Sequence, residues 1–332
     1  MKFADYPSVQ KLVENNIFLL DGPQGTKSMT AKHLADALLE MAGGSTGGNV
    51  DLKDLPLLEN GIENESRFLI GLPNGENKAI KADDVFYELL DAFIPMEQRR
   101  NTFRGKNLGS SLTKEQAQNI TNGTFKGFFI GDYWDIDEQI WRIVDINYWI
   151  GCGDTECTAP HLVIMPDKAL YKHKMNETNI TTGAYVGSQM YTSGLNAAKS
   201  TINITFGEGN ILSHKEYLQN AMTNGYPSAG SWYNSTVELP NECMMYGSYI
   251  FMPSGTGSIS VSRYTINKSQ LALMQIHPKW INPHREDQWL RDAISTSGFS
   301  FIHSTGYATG NNSSAACGVR VVFGLTGITA AA

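Results

Sequence analysis

The side chains able to do acid–base or metal chemistry are few and scattered. The densest group is His277-Pro-Lys-Trp-Ile-Asn-Pro-His284-Arg-Glu-Asp287, with two imidazoles and two carboxylates. Imidazole and carboxylate together suit zinc or manganese. Pro278 and Pro283 place the segment in an irregular loop with no helical i, i+4 register, so it reads as a solvated or ligand-contacting loop. Cys152-Gly-Asp-Thr-Glu-Cys157 leaves three readings open: free thiols, a disulfide formed after release from the cell, or a zinc-binding pair lacking a second pair. Cys243 and Cys317 lie in apolar text without the positive surroundings of a reactive thiol. Gly22-Pro-Gln-Gly-Thr-Lys-Ser28 has two residues between its glycines where a phosphate-binding loop needs four, so it reads as a hairpin turn. These readings predict no catalytic residue, no resident metal and no cofactor.

The stretch from Trp289 to Phe323 has a different chemistry. Two apolar anchors, Trp289-Leu-Arg-Asp292 and Gly318-Val-Arg-Val-Val-Phe323, bracket a run of Ser, Thr, Gly, Asn and aromatics. Buried arginine is costly unless paired, so Arg291 and Arg320 should have fixed internal partners, and Trp289, Arg291, Asp292, Gly318 and Arg320 form a scaffold. The run between them has the mixture that binding surfaces use, aromatic area with adaptable hydrogen bonding. The expected ligand face is Ser295, Thr296 and Ser297, then His303, Thr305, Tyr307 and Thr309, then Asn311 and Asn312. Trp280, His284 and Gln288 join it from the preceding loop. Trp134, Trp141 and Trp149 alternate with apolar neighbours and read as core, whereas Trp232 and Tyr233 are open to either role.

The elements that must position these residues begin with a repeat. Phe18-Leu-Leu-Asp-Gly-Pro-Gln-Gly25 recurs as Phe68-Leu-Ile-Gly-Leu-Pro-Asn-Gly75, and each copy predicts strand, turn, strand and apolar-periodic helix. So small a unit cannot bury its own apolar face, and it must pack on its sister or on other chains. Pro7 to Asn16 predicts a helix, Gly43 to Gly48 a flexible linker, and the second repeat's helix runs to about Arg100. The region Asn101 to Gly109, basic with Arg99, Arg100, Arg104 and Lys106, reads as a solvated junction, with the domain boundary between Phe103 and Leu112. Thr113-Lys-Glu-Gln116 matches a capping box. Beyond it the pattern predicts a hairpin around Asp135 to Gln139, a strand over 161–166, helices over 188–204 and 237–246, then a long loop-rich interval, a return strand over 270–276 and closing strands. The expected organisation is 1–50 and 51–105, one repeat each, then 106–332, and the fold class is α+β.

The C-terminal text, W-L-R-D, then G-F-S-F, G-Y-A, an Asn-rich run and G-V-R-V-V-F-G, resembles modules of gut phages and prophages that are similar in fold to C-type lectins and the formylglycine-generating enzyme family. The resemblance covers about Leu112 to Gly327. It implies a lectin-like domain whose terminal strands meet, and in some such modules retroelements diversify the interval between the anchors. The copper-binding cysteine pair of the enzyme family does not carry over to Cys243 and Cys317, given their apolar settings. Glu238-Leu-Pro-Asn-Glu242 departs from the Glu-Pro-Asn calcium motif of C-type lectins and reads instead as a helix start.

Composition narrows the function. The 332 residues are 41% hydrophobic and only 18% charged, with a net charge of −7 and a pI near 5.5. That balance opposes nucleic-acid binding. No window reaches the roughly 20 apolar residues needed to cross a bilayer, and Met1-Lys-Phe-Ala-Asp-Tyr-Pro7 is not a signal peptide, so synthesis in a bacterial cytoplasm without membrane insertion is expected. Together with the resemblance, these features predict a non-enzymatic phage virion protein, a tail or head fibre or tip adhesin. The repeats would attach it to other virion proteins as a homotrimer, and the distal domain would bind a bacterial surface glycan or protein. The alternatives are a purely structural capsid decoration or connector and, less favoured, a cell-wall glycan-degrading enzyme.

Overall fold

The computed structural model describes residues 17–22, 25–30, 67–71, 77–250 and 269–327. The predicted helices over 7–16 and after the first repeat's hairpin, and the 43–48 linker, lie outside these residues. The chain is α+β and divides into two units, 1–95 and 96–332.

In the first unit each repeat is an antiparallel hairpin. Strands β1 (Ile17–Gly22) and β2 (Gly25–Thr30) form one, and β3 (Arg67–Gly71) and β4 (Asn77–Lys81) the other. They merge into one sheet of order β2-β1-β3-β4, with Leu19 opposite Leu69 and Leu20 opposite Phe68. Helix α1 (Ala82–Phe93) follows β4 and stops ahead of Pro95, short of the expected Arg100, because proline disfavours helical backbone in the residue before it.

The basic stretch belongs to the second unit, and it is not a solvated junction. The unit boundary falls between Pro95 and Met96, and three arginines beyond it are fixed internally. Arg99 donates to the Phe125 carbonyl (2.7 Å). Arg100 grips Asp145 with two bonds (2.6 and 2.9 Å). Arg104 grips Asp132 (2.6 Å) and lies over the Phe129 ring. Asp132 also accepts the backbone N–H groups of Lys106 and Phe129, so every lone-pair direction of a buried carboxylate is used. Within this charge run Arg99 and Arg104 are buried and Arg100 is half-buried against a buried carboxylate.

Helix α2 (Lys114–Thr121) starts with both arms of its capping box in place, Gln116 N to Thr113 Oγ1 and Thr113 N to Gln116 Oε1. Strands β5 (Tyr133–Ile136) and β6 (Gln139–Ile146) are joined by Asp137 and Glu138, both at positive φ, the geometry of a tight hairpin turn. Five strands form the first sheet of this unit, in the order β11 (Val237–Glu238), β16 (Val322–Leu325), β7 (Leu162–Pro166), β6 and β5. The second sheet has the order β14 (Ala308–Asn312), β13 (Gly298–Ile302), β12 (Gln288–Ala293), β15 (Ala316–Val319) and β8 (Tyr171–Lys174). The closing strand β16 lies between β7 and β11, so the unit's first and last strands share a sheet without pairing. At the core Phe206 from helix α3 (Asn196–Phe206) meets Trp134 and Trp141 edge-on and Phe323 at a tilt, and Trp141 meets Phe323 edge-on.

Three predicted elements differ. The 188–204 helix is a wide turn over Met190–Gly194 followed by α3. Residues 237–246 are the short strand β11 and then helix α4 (Glu242–Tyr246), capped by the Asn241 side chain on Met244 N. The predicted return strand is helix α5 (Ala272–Ile276), whose first N–H is taken by Asp145. Short apolar runs do not distinguish strand from buried helix by periodicity, and here a remote carboxylate caps the helical choice. Between the two predicted helices, where the sequence reading placed no element, runs a long ribbon, β9 (His214–Thr223) and β10 (Tyr226–Ser235), turned by Asn224-Gly225 with both residues at positive φ.

The Asp132 pair gives a direct test of how far the arginines hold the unit together. Arg104→Ala leaves Asp132 buried without its cation, and the expected loss is about 3–5 kcal/mol in denaturant unfolding. A loss below about 1 kcal/mol would show that the carboxylate is reached by water.

Candidate functional site

The scaffold residues lie where chain crossings need them. Arg320 occupies the passage from β15 in one sheet to β16 in the other. Its Nε donates to the Pro166 carbonyl at the end of β7 (2.7 Å), and its Nη1 donates to Ile281 (2.9 Å) and Trp280 (3.2 Å) carbonyls. Among the described residues no carboxylate bonds it directly, and burial lowers its pKa to about 10, which keeps it cationic at neutral pH. Beside it Arg142 on β6 pairs with Asp167 (2.6 and 2.8 Å) at the parallel crossing from β7 to β8 and stacks on the Trp280 ring at 3.8 Å. Gly318 has no room for a side chain, since a Cβ there would meet the Ala169 Cβ at 2.7 Å.

Arg291 on β12 reaches Glu216 on β9 (2.8 Å), whose other oxygen accepts the indole N–H of Trp149 (2.8 Å). Burial alone would push the Glu216 carboxyl up; the Arg291 charge and the His214 ring nearby override it and bring it down to about 2. Trp289 is buried and donates its indole N–H to the His173 carbonyl. Asp292 accepts the Glu242 N–H (2.7 Å) at the start of α4. Burial and the Glu242 carboxylate raise Asp292 to about 7.

The expected ligand residues do not form one face. In the β13–β14 hairpin Gly298 pairs with Asn312 and Ile302 with Ala308, so its two ends are separated by about 13 Å of strand. At one end lie His303, Thr305 and Tyr307. The His303 and Tyr307 rings stack at 4.9 Å, and His303 Nδ1 is 2.8 Å from Thr305 Oγ1. The loop is fixed by Asn282 on the His303 carbonyl, Tyr246 on the Gly306 carbonyl and Asp287 on Ser304 N. Tyr307 is 55% exposed, and His284 is exposed on the neighbouring loop.

At the other end Ser295, Thr296, Ser297 and Asn312 border the loop 178–181. Thr181 donates its hydroxyl to the Ser295 carbonyl (2.6 Å), and Ser313 donates its own to Thr178. Thr296 and Asn312 are exposed. Between the ends Thr309 and Asn311 are half-buried, with Asn311 Nδ2 directed to the Cys317 sulfur (3.5 Å).

Two residues leave the expected ligand face. Gln288 is only 1% exposed and is bonded to Asn282 (3.1 Å), with its carbonyl oxygen 3.5 Å from Arg320 Nη1, so it belongs to the frame. Trp280 is half-buried and offers its ring to Arg142 rather than to a ligand. The β9–β10 ribbon supplies surface residues that the sequence reading passed over. Its tip lies beside Thr296, since a Cβ on Gly225 would be 3.7 Å from the Thr296 methyl carbon. Tyr226 there is 53% exposed. Asn224-Gly225 between β-forming residues was the available signal.

All four cysteines are buried thiols. Burial raises Cys152 and Cys243 to about 12 and Cys317 to about 11, so none is a ready thiolate nucleophile. Among the described residues no cluster of three His, Cys, Asp or Glu side chains could hold a metal ion, and no helix is long and apolar enough to cross a membrane. Comparison with protein-family models, with characterised proteins and with solved structures finds no match to this chain.

The raised Asp292 makes stability pH-dependent with a defined sign. Its folded pKa of about 7 exceeds its ordinary 3.8, so the folded state holds the proton more tightly between those values. The contribution is fully present below about pH 4 and is lost as pH rises through 7. Asp292→Asn should therefore gain on wild type in melting temperature between pH 5 and pH 8; a difference that stays flat with pH would refute the assignment.

Proposed function

We propose that this chain is a non-enzymatic phage virion protein, a fibre or tip adhesin, in which a lectin-like C-terminal unit binds a bacterial surface glycan or protein. The observation that carries the reading is the contrast within that unit. A frame of buried arginine pairs holds loops rich in Ser, Thr, Asn and Tyr, and the neighbouring carboxylates Glu242 and Asp292 are sealed in the interior. Pre-ordered polar loops on a rigid frame bind without large ordering costs. A buried carboxylate pair offers nothing to a polymeric substrate, which weighs against the glycosidase alternative.

On this reading the N-terminal hairpins attach the protein to other virion proteins, and the chain works as a homotrimer on the particle. Single-site contacts of this polar, uncharged kind are weak. Several copies on one particle raise the effective concentration at the cell surface, so adhesion follows from multivalency rather than from one tight site. The purely structural alternative has the same fold and no host ligand, and it differs only in whether the purified protein adsorbs to cells.

Labelled protein should adsorb to host bacteria. Tyr307→Ala combined with Thr305→Ala should lower adsorption at least tenfold with the melting temperature within about 2 °C of wild type, because both side chains are exposed. Unchanged adsorption would move the face away from the His303–Tyr307 end, and no adsorption by wild type to any host would favour the structural alternative.

A further inference from the structure

Cys152 and Cys157 carry chemistry that the proposed ligand face does not use. The chain leaves the core after Trp149, runs through exposed Asp154, Thr155 and Glu156, and returns to it at Cys157. Three backbone bonds close this turn. The Cys152 N–H donates to the Trp149 carbonyl (3.0 Å), the Cys157 N–H to the Cys152 carbonyl (3.0 Å) and the Gly151 N–H to the Cys157 carbonyl (2.8 Å). Gly151 and Gly153 supply the positive φ values, 73° and 115°, that so tight a path requires. Both cysteines are buried thiols in the same apolar core, beneath an exposed loop.

The bond from Cys157 to Cys152 fixes the distance that matters. An N–H of one residue on the carbonyl of another sets their Cα atoms about 5–6 Å apart, inside the roughly 4.4–6.8 Å that a disulfide spans. Among the described residues no third His, Cys, Asp or Glu joins the two thiols in a group able to hold a metal. We propose that Cys152 and Cys157 are a redox pair that closes into a disulfide in oxidising surroundings. One thiolate attacks the S–S bond of an oxidised small-molecule disulfide, such as oxidised glutathione, and displaces a thiol. The second thiolate then attacks the mixed disulfide and displaces the other, so two protons and two electrons pass from the pair to the reagent.

The bridge acts on the arginine frame. Cys152 lies against the start of β9, with its sulfur 3.8 Å from the Lys215 carbonyl. A Cβ on Gly153 would meet the Lys215 Cβ at 2.6 Å, and the Lys215 ammonium is 3.5 Å from Asp154 on the same loop. The next residue, Glu216, holds both the Trp149 indole and Arg291. Closing the loop from Cys152 to Cys157 removes freedom from the unfolded chain beside these contacts and so stabilises the frame. Exchange in the folded protein is slow, because the thiolate is the attacking species and burial, with the Glu216 and Cys157 charges, pushes Cys152 up to about 12. The assignment does not depend on the adhesin reading.

The test refolds the full chain from denaturant in glutathione buffers of reducing and oxidising composition, so that the sulfurs can react before they are buried. After the oxidising buffer, alkylation of the denatured protein should find two thiols, Cys243 and Cys317, in place of the four that the chain contains. The intact mass should fall by about 2 Da, since two hydrogens are lost. Cleavage after Glu156, inside the loop, should leave two peptides joined until reductant is added. Oxidised protein should melt about 4–8 °C above reduced protein, and Cys152→Ser should remove that difference. Folded reduced protein should close the bridge more slowly, at a rate rising about tenfold from pH 7 to pH 8. Four free thiols after oxidising refolding, or glutathione left on Cys152 or Cys157, overturns the proposal. A bridge to Cys243 or Cys317, or between two chains, also overturns it.

Discussion

Keeping charged guanidinium groups out of water is the constraint on which the second unit depends. A buried arginine cannot shed its charge at neutral pH, so each must find acceptors fixed elsewhere in the chain. Arg320 finds backbone carbonyls from β7 and from the turn at 280–281. Arg142 finds Asp167, and Arg291 finds Glu216. Each of these contacts joins segments far apart in sequence, and together they fix where the chain passes between its two sheets. Hydrophobic packing alone tolerates small slides; a guanidinium with directed acceptors does not.

The loops at the ends of the β13–β14 hairpin inherit that precision. Asn282 links the frame to one end directly, because its amide spans the Glu286 and His303 carbonyls while its oxygen receives Gln288. The surface therefore has two separate polar ends instead of one continuous face. The tip of the ribbon, at Gly225, lies beside one of them at Thr296, and the His303–Tyr307 stack stands at the other.

Features set by local chemistry were legible in the sequence, and those set by distant partners were not. The capping box at Thr113, the turn at Asp137-Glu138, the tryptophan core and both repeat hairpins follow from residue types and spacing over a few positions. The anchors around Arg291 and Arg320 were readable as scaffold because arginine among apolar residues implies a partner. Which partner was unreadable: Glu216 is 75 residues from Arg291. The same limit hid Arg99, Arg100 and Arg104, whose carboxylates and carbonyls lie 26–45 residues on. It also hid α5, whose helical start depends on Asp145. The ribbon was different, since Asn224-Gly225 announced it, and bulges between Pro227 and Gly230 interrupt the two-residue alternation that would have confirmed it.

The pairing of Leu19 with Leu69 gives the first unit's sheet a local symmetry. In the repeat these two positions are equivalents, so the strands meet at a point where each faces its own counterpart, as identical strands do about a two-fold axis. The sheet is thus a dimer written into one polypeptide. That symmetry is confined to the strands, since the first turn has Gly-Pro-Gln-Gly where the second has Leu-Pro-Asn-Gly.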